Sequence, residues 1–359
     1  MVKTAKLALE DGTILEGEGF GAECVKTGEL VFSTAMVGYV EALTDPSFKG
    51  QILMSTYPLE GNYGVSKEWY QSDDIKTEAY VVRQLCTQPY HPKSEKSLSE
   101  FLEENGVPGI SNIDTRALTL KIRERGSMKA AVANVDISDE ELLEITRNQT
   151  PIEEQSLVEK ITITEPKTLA QKETNIAVID CGVKKNIIDN LLQRDVGVTI
   201  YPASVDAQEI IDSGADGVLI SSGPGNPENV EKIQDTIKTL AQNMPVAGIC
   251  LGQQIIALTY GADIYKMKFG HRGLNQPVQD LKTKKVYMTS QNHSFAIDKN
   301  SIENTDLEIT QINLNDNTPE AIKHTKLPVS GIQYHPEAGP GPHDSSEFFD
   351  EFLEVVKNY

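Results

Sequence analysis

Pro245-Val246-Ala247-Gly248-Ile249-Cys250-Leu251-Gly252-Gln253-Gln254 begins as an apolar run with the look of a buried strand. It passes, after its second glycine, into a helical run from Gln253 to Tyr260. Cys250 stands between Gly248 and Gly252, a G-x-C-x-G spacing that is the cysteine counterpart of the G-x-S-x-G nucleophile elbow. A nucleophile on a sharp strand-to-helix turn needs neighbours without a Cβ to crowd it. The N-terminal end of the following helix favours negative charge at that point. The stretch also fits a second reading, a buried structural cysteine beside a tight βα turn. The surrounding chain has to separate the two.

Around this stretch the second part of the chain has a parallel-sheet rhythm. Ile176–Ile179, Val198–Tyr201, Gly217–Ile220 and Val246–Cys250 read as strands. Helices are expected at Lys184–Gln193, around Gln208–Asp212, at Glu228–Gln242 and at Ser345–Lys357. Continuous Val/Ile/Leu strands are what a parallel sheet needs when helices cover both faces. Val286–Thr289, Leu307–Ile312, Ala321–His324 and Val329–Gln333 look antiparallel. The expected fold is α/β: a doubly wound domain on a mixed, largely parallel sheet, preceded by an N-terminal mixed α/β domain. Ligands gather at the carboxyl ends of strands in such sheets. Cys250 lies at one such end, and the loop Ser221-Ser222-Gly223-Pro224-Gly225-Asn226-Pro227 at another.

The first part opens with a hairpin signal, Asp11-Gly12 between Lys6–Leu9 and Thr13–Glu16. Strands are expected at Glu29–Thr34, Gln51–Thr56, Glu78–Arg83 and Met128–Ala133, with a loop-rich stretch at Gly38–Phe48. Helices are expected from Ser97 to Gly106, at Asp114–Arg125 and after the capping box at Ser138. Proline, threonine and charge then interrupt any period. The boundaries read as 1–150 for the first domain, 151–173 for a linker and 174–359 for the second domain.

A chain of 359 residues is long enough for two cores, and its 39% hydrophobic and 24% charged composition is that of a globular protein. A net charge of −20 with no basic cluster argues against nucleic acid as a partner. No run is long and apolar enough for a membrane span, and the N-terminus lacks a secretion signal. Cys24, Cys86, Cys181 and Cys250 are far apart and lack C-x-x-C spacing. Free thiols, no metal site and a cytoplasmic location are therefore expected.

A cysteine nucleophile needs a base and a group to orient it. Of six histidines, His335 ends the strand-like Gly331-Ile332-Gln333-Tyr334 and is followed by Pro336-Glu337. In an extended segment residues i and i+2 share a face, so Glu337 can hold the His335 imidazole. A surface His-Pro-Glu turn is the bland alternative. Gly223-Pro224-Gly225 lets backbone amides approach a developing oxyanion, or simply makes a tight turn. It is not a phosphate loop, and Cys181-Gly182-Val183-Lys184-Lys185 reads as a turn into a helix.

Three motifs carry a resemblance: Ser222-Gly223-Pro224-Gly225-Asn226-Pro227, Gly248-Ile249-Cys250-Leu251-Gly252-Gln253-Gln254 and Gln333-Tyr334-His335-Pro336-Glu337. With them the second part resembles the class I glutamine amidotransferases. The first part, through Phe32–Ser47, Tyr57–Gly64 and Ile113–Thr119, resembles the carbamoyl-phosphate synthase small-chain family. Lys266–Gly273 and Ser290–Phe295 extend that match across the chain. The resemblance implies that Cys250 is the nucleophile, with His335 and Glu337 completing the triad. It implies that L-glutamine is bound by Ser47, Gly223, Gly225, Leu251, Gln254, Asn292, Ser294 and Phe295. Ser47 would bring the first domain into the active site of the second. The family commonly has glycine where this chain has Ser294, and related chains often have histidine where it has Gln253.

The implied activity is the glutaminase half of glutamine-hydrolysing carbamoyl-phosphate synthase. The implied partner is a large chain, forming a heterodimer with higher assembly left open. That partner would use the ammonia, hydrogencarbonate, ATP and magnesium to make carbamoyl phosphate for arginine or pyrimidine biosynthesis. No cofactor is expected in this chain. Competing readings are a glutaminase serving another synthase, a catalytically silent subunit, and a cysteine hydrolase acting alone on γ-glutamyl substrates.

Overall fold

The computed structural model describes residues 3–359. The chain divides into two compact units, Met1–Gln155 and Ser156–Tyr359. The first unit is built on nine strands: β1 (Lys3–Leu9), β2 (Ile14–Gly21), β3 (Val25–Ser33), β4 (Gln51–Ser55), β5 (Leu59–Glu60), β6 (Ala79–Val81), β7 (Gln84–Leu85), β8 (Pro108–Ser111) and β9 (Met128–Ala133). Seven close into a barrel in the order β1-β2-β8-β6-β4-β3-β9, and β5 pairs with β7 apart from it. The Asp11-Gly12 hairpin joins β1 to β2, with Gly12 at φ 94°.

Four helices belong to this unit: α1 (Tyr39–Leu43), α2 (Leu98–Glu104), α3 (Thr115–Arg125) and α4 (Asp139–Asn148). Ser97 caps α2 with a complete capping box to Glu100, and Asp114 and Ser138 cap the next two through their side chains. The stretch expected to be loop-rich holds α1 and a 3₁₀ turn at Pro46–Phe48. Tyr39, Val40 and Leu43 are its buried face, packed into a core with Tyr80, Leu53 and Phe101. A single helical turn shows too little periodicity to be read from sequence.

The second unit holds one ten-stranded sheet. Its strands are β10 (Lys167–Ala170), β11 (Asn175–Asp180), β12 (Gly197–Pro202), β13 (Gly217–Ile220), β14 (Val246–Ile249), β15 (Ile264–Asp280), β16 (Val286–Ile297), β17 (Leu307–Asn313), β18 (Pro319–His324) and β19 (Val329–Ile332). The order is β10-β12-β11-β13-β14-β19-β18-β17-β15-β16. β12, β11, β13, β14 and β19 run parallel, and the rest pair antiparallel. Three findings depart from expectation, the first being the long strand β15, where no strand is expected. β10 forms an antiparallel edge strand inside the stretch read as a linker. β19, expected among the antiparallel strands, pairs parallel with β14 and sets Gly331 opposite Gly248.

Helices α5 (Lys185–Leu192), α6 (Ala207–Asp212), α7 (Glu231–Leu240), α8 (Leu251–Thr259) and α9 (Glu347–Asn358) cover the sheet. Alternate residues of β11 feed two cores. Ala177 and Ile179 pack with Ile210, Ile237 and Ile255, while Ile176 and Val178 pack with Ile187, Leu191 and Phe349. Burial on both faces is why these strands read as unbroken apolar runs. The four cysteines carry no disulfide. Among the described residues no helix is long and apolar enough to cross a membrane.

Candidate active site

Cys250 follows β14 and immediately precedes α8, in a backbone conformation of φ 54° and ψ −104° that non-glycine residues rarely adopt. Its amide donates to the Ile332 carbonyl at 2.7 Å, which ties the turn to β19. The flanking glycines are required by close approach. A Cβ on Gly248 would lie 2.5 Å from the Gly252 carbonyl carbon, and one on Gly252 would lie 2.4 Å from the Ile220 carbonyl oxygen. Strand, turn and helix can cross this tightly only where both side chains are missing. The thiol is buried, 2% exposed, 3.7 Å from the Asn292 carbonyl, and the Gln333 side-chain amide donates to it at 3.5 Å.

His335 lies beyond the end of β19, in an isolated antiparallel bridge with Ser290. Its Nδ1 is 2.8 Å from Glu337 Oε1. The expected pairing is made, but through a turn rather than an extended segment. The Ala338 amide donates to the His335 carbonyl at 3.2 Å, and Pro336 occupies the second position, where its fixed φ suits a turn. The same Glu337 oxygen receives Lys184 Nζ at 2.5 Å, and all three side chains are buried. His335 Nε2 is buried and makes no hydrogen bond. Burial and Lys184 disfavour the imidazolium, yet the Glu337 carboxylate and the Cys250 sulfur outweigh them and raise its pKa. Burial alone would raise the Glu337 carboxyl, but Lys184 and His335 hold it well below the usual carboxylate range.

The sequence places Lys184 only in a turn leading into a helix. It occupies the N-cap of α5. A lysine pair at a helix N-terminus opposes the helix dipole, and that mismatch was the available signal. Gln333 belongs to the Gln333-Tyr334-His335-Pro336-Glu337 motif, and its side chain has a part the motif does not reveal. It links the thiol to Gln254, whose amide donates to Gln333 Oε1 at 2.9 Å and to the Phe295 carbonyl at 2.8 Å.

The other expected glutamine-binding positions fall as follows. Leu251 opens α8, where first-turn amides have no partner within the helix. Gly225 has φ 89°, and a Cβ on Gly223 would meet the Cys181 carbonyl oxygen at 2.0 Å and a Leu251 methyl at 2.9 Å. Asn292, Ser294 and Phe295 lie on β16. Ser294 has no positive φ, so a side chain is accommodated there, and its hydroxyl accepts from Arg272. Asn292 pairs with Arg272, and His293 pairs with His271, so alternate residues of β16 serve different neighbours. Ser47 belongs to the first unit, in the 3₁₀ turn where the Asp45 carboxylate accepts its amide at 2.9 Å. Gln253 is fully buried, and its side-chain amide makes no hydrogen bond.

A cysteine at a strand–helix elbow beside a buried histidine–carboxylate pair, on a largely parallel sheet, defines the class I glutamine amidotransferases. Residues 177–355 match the family "Glutamine amidotransferase class-I", and residues 7–132 match "Carbamoyl-phosphate synthase small chain, CPSase domain". The chain is 50% identical over 356 residues to a carbamoyl phosphate synthase small chain of Archaeoglobus fulgidus, covering 99% of each chain. It is 51% identical over 357 residues to that of Methanocaldococcus jannaschii, covering 98% of each, and 48% identical over 359 residues to that of Methanopyrus kandleri, covering 99% of each. The chain belongs to the carbamoyl-phosphate synthase small-chain family.

Proposed function

We propose that this chain is the glutaminase subunit of a glutamine-dependent carbamoyl-phosphate synthase. The observation that carries the reading is the Cys250 elbow, held at positive φ next to a buried His335–Glu337 pair. In the proposed reaction Cys250 gives its proton to His335 and its sulfur attacks the side-chain amide carbon of L-glutamine, while the carbonyl oxygen takes up the negative charge. Backbone amides of Leu251 and Gly225 are the donors suited to that oxygen. Asn292, Ser294, Phe295 and Gln254 line the substrate in this reading. His335 gives its proton to the departing nitrogen, which leaves as ammonia, and a γ-glutamyl thioester remains on Cys250. His335 then takes a proton from water as the water attacks the thioester, and returns it to the departing Cys250 sulfur, releasing glutamate and restoring the thiol. Glu337 fixes the imidazole, and Lys184 fixes Glu337.

The ammonia passes to a large-chain partner that carries the ATP-dependent chemistry and delivers carbamoyl phosphate to arginine or pyrimidine synthesis in the cytoplasm. The test compares glutamine- and ammonia-dependent carbamoyl phosphate synthesis by the complex carrying Cys250→Ser. Glutamine use should be lost and ammonia use retained. Retained glutamine-dependent synthesis would refute the assignment of the nucleophile.

A further inference from the structure

Beside the segment that carries Asn292 to the thiol, three strands of the second unit bring together His271 (β15), His293 (β16) and Glu320 (β18). One ligating atom from each lies within 4.8 Å of the other two, and none of the three residues is more than 8% exposed. The two imidazoles are cross-strand partners with ring centroids 5.0 Å apart. Their separations of 22 and 27 residues along the chain match no metal-binding spacing, so the sequence gives no warning of the cluster.

The outer side of each group is already engaged. His271 Nε2 is 2.9 Å from Asp316 Oδ2, and a carboxylate can only accept, so the proton sits on Nε2. His293 Nδ1 is 2.7 Å from the Phe295 carbonyl, which likewise places its proton on Nδ1. Asn313 donates to Glu320 Oε1 at 3.1 Å. Two inner atoms, His271 Nδ1 and Glu320 Oε2, are buried with no hydrogen bond, and the third, His293 Nε2, lies 3.1 Å from the Gln291 side-chain oxygen. Burying such acceptors against one another is costly. A proton on Glu320 would satisfy one atom at most, whereas one cation would satisfy His271 Nδ1 and Glu320 Oε2 together and could take His293 Nε2 as a third ligand once the Gln291 side chain turns from it.

We propose that His271, His293 and Glu320 bind a divalent transition-metal ion of the zinc type. Two imidazoles and a carboxylate are a donor set that zinc accepts, with a fourth position left for water. Asp316, the Phe295 carbonyl and Asn313 are the outer partners that orient such ligands. The charge of Glu320 with that of Asp316 balances a doubly charged ion. The ion clips β15, β16 and β18 together and takes no part in attack on glutamine.

The test uses the full-length chain with Cys250→Ser, so that the active-site thiol cannot compete for metal. After chelator treatment, zinc is titrated by calorimetry and cobalt(II) by visible absorption. One tight equivalent of zinc is expected, with cobalt bands of a nitrogen–oxygen site and zinc-dependent heat stabilisation. Glu320→Gln keeps the shape and the Asn313 contact, and should lose that equivalent together with the heat stabilisation. Asp316→Asn should weaken binding by about 10–100-fold. Absence of tight binding, or equal binding and stabilisation in the parent and Glu320→Gln, would overturn the proposal.

Discussion

The buried chain from Lys184 through Glu337 to His335 sets the proton chemistry at the residue scale. Burial and Lys184 push His335 toward neutrality, and Glu337 and Cys250 reverse that, so the imidazolium persists above the ordinary value of 6.5. In the proposed reaction the imidazolium is the acid that releases ammonia. Glu337→Gln removes a raising charge, so the alkaline limb of kcat/KM for glutamine should move to lower pH, toward 6.5. A pH profile checks this, and an unmoved limb would remove Glu337 from that role. Stability follows the same signs. The contribution of His335 is fully present below 6.5 and is lost as pH rises through its raised folded value. Glu337, with a lowered value, contributes fully above 4.5, and that contribution fades as pH falls toward its folded value.

Elements decide how tightly the thiol can be presented. Backbone lies against backbone at both glycines, Gly248 of β14 against Gly252 of α8 and Gly252 against Ile220 of β13, and neither neighbour is the end of a flexible side chain. Gly248→Ala should cost about 1–3 kcal/mol of stability, as overpacking does, and should depress glutamine hydrolysis by displacing Cys250. Urea denaturation and a glutaminase assay measure the two effects. Most of this layer was legible in the sequence, because Val/Ile/Leu runs and glycine spacing report local structure directly. What escaped was relational. Nothing local in Val329–Ile332 says that its partner runs parallel, nor that Lys184 will meet Glu337 across the fold. β15 escaped as a strand because register shifts between Lys266 and His271 and between Gly273 and Gln276, with Gly270 at φ 68°, break its alternation.

At the scale of the whole molecule, each unit has its own apolar interior, one around Tyr80 and Phe101 and the other on both faces of the ten-stranded sheet. Two-state unfolding is not expected of such a chain. Phe349 is fully buried on the inner face of α9, and Phe349→Ala should cost about 3–5 kcal/mol. Scanning calorimetry should show a lowered transition for the second unit beside an unchanged one for the barrel. A single transition shifting as a whole would mean that the two cores melt together. The closed barrel was not legible in the sequence, because closure depends on pairs such as β1 with β9, whose residues are far apart in the chain.

β16 carries Asn292 and Ser294 toward Arg272 and His293 toward His271, in strict alternation. Strand geometry thus imposes a phase on heredity. A single substitution in Ser290–Phe295 disturbs the contacts of one side, whereas an inserted or deleted residue would exchange the two sides at once. The segment is thus more sensitive to a change of length than to a change of any one side chain, as a coding frame is to the loss of a base.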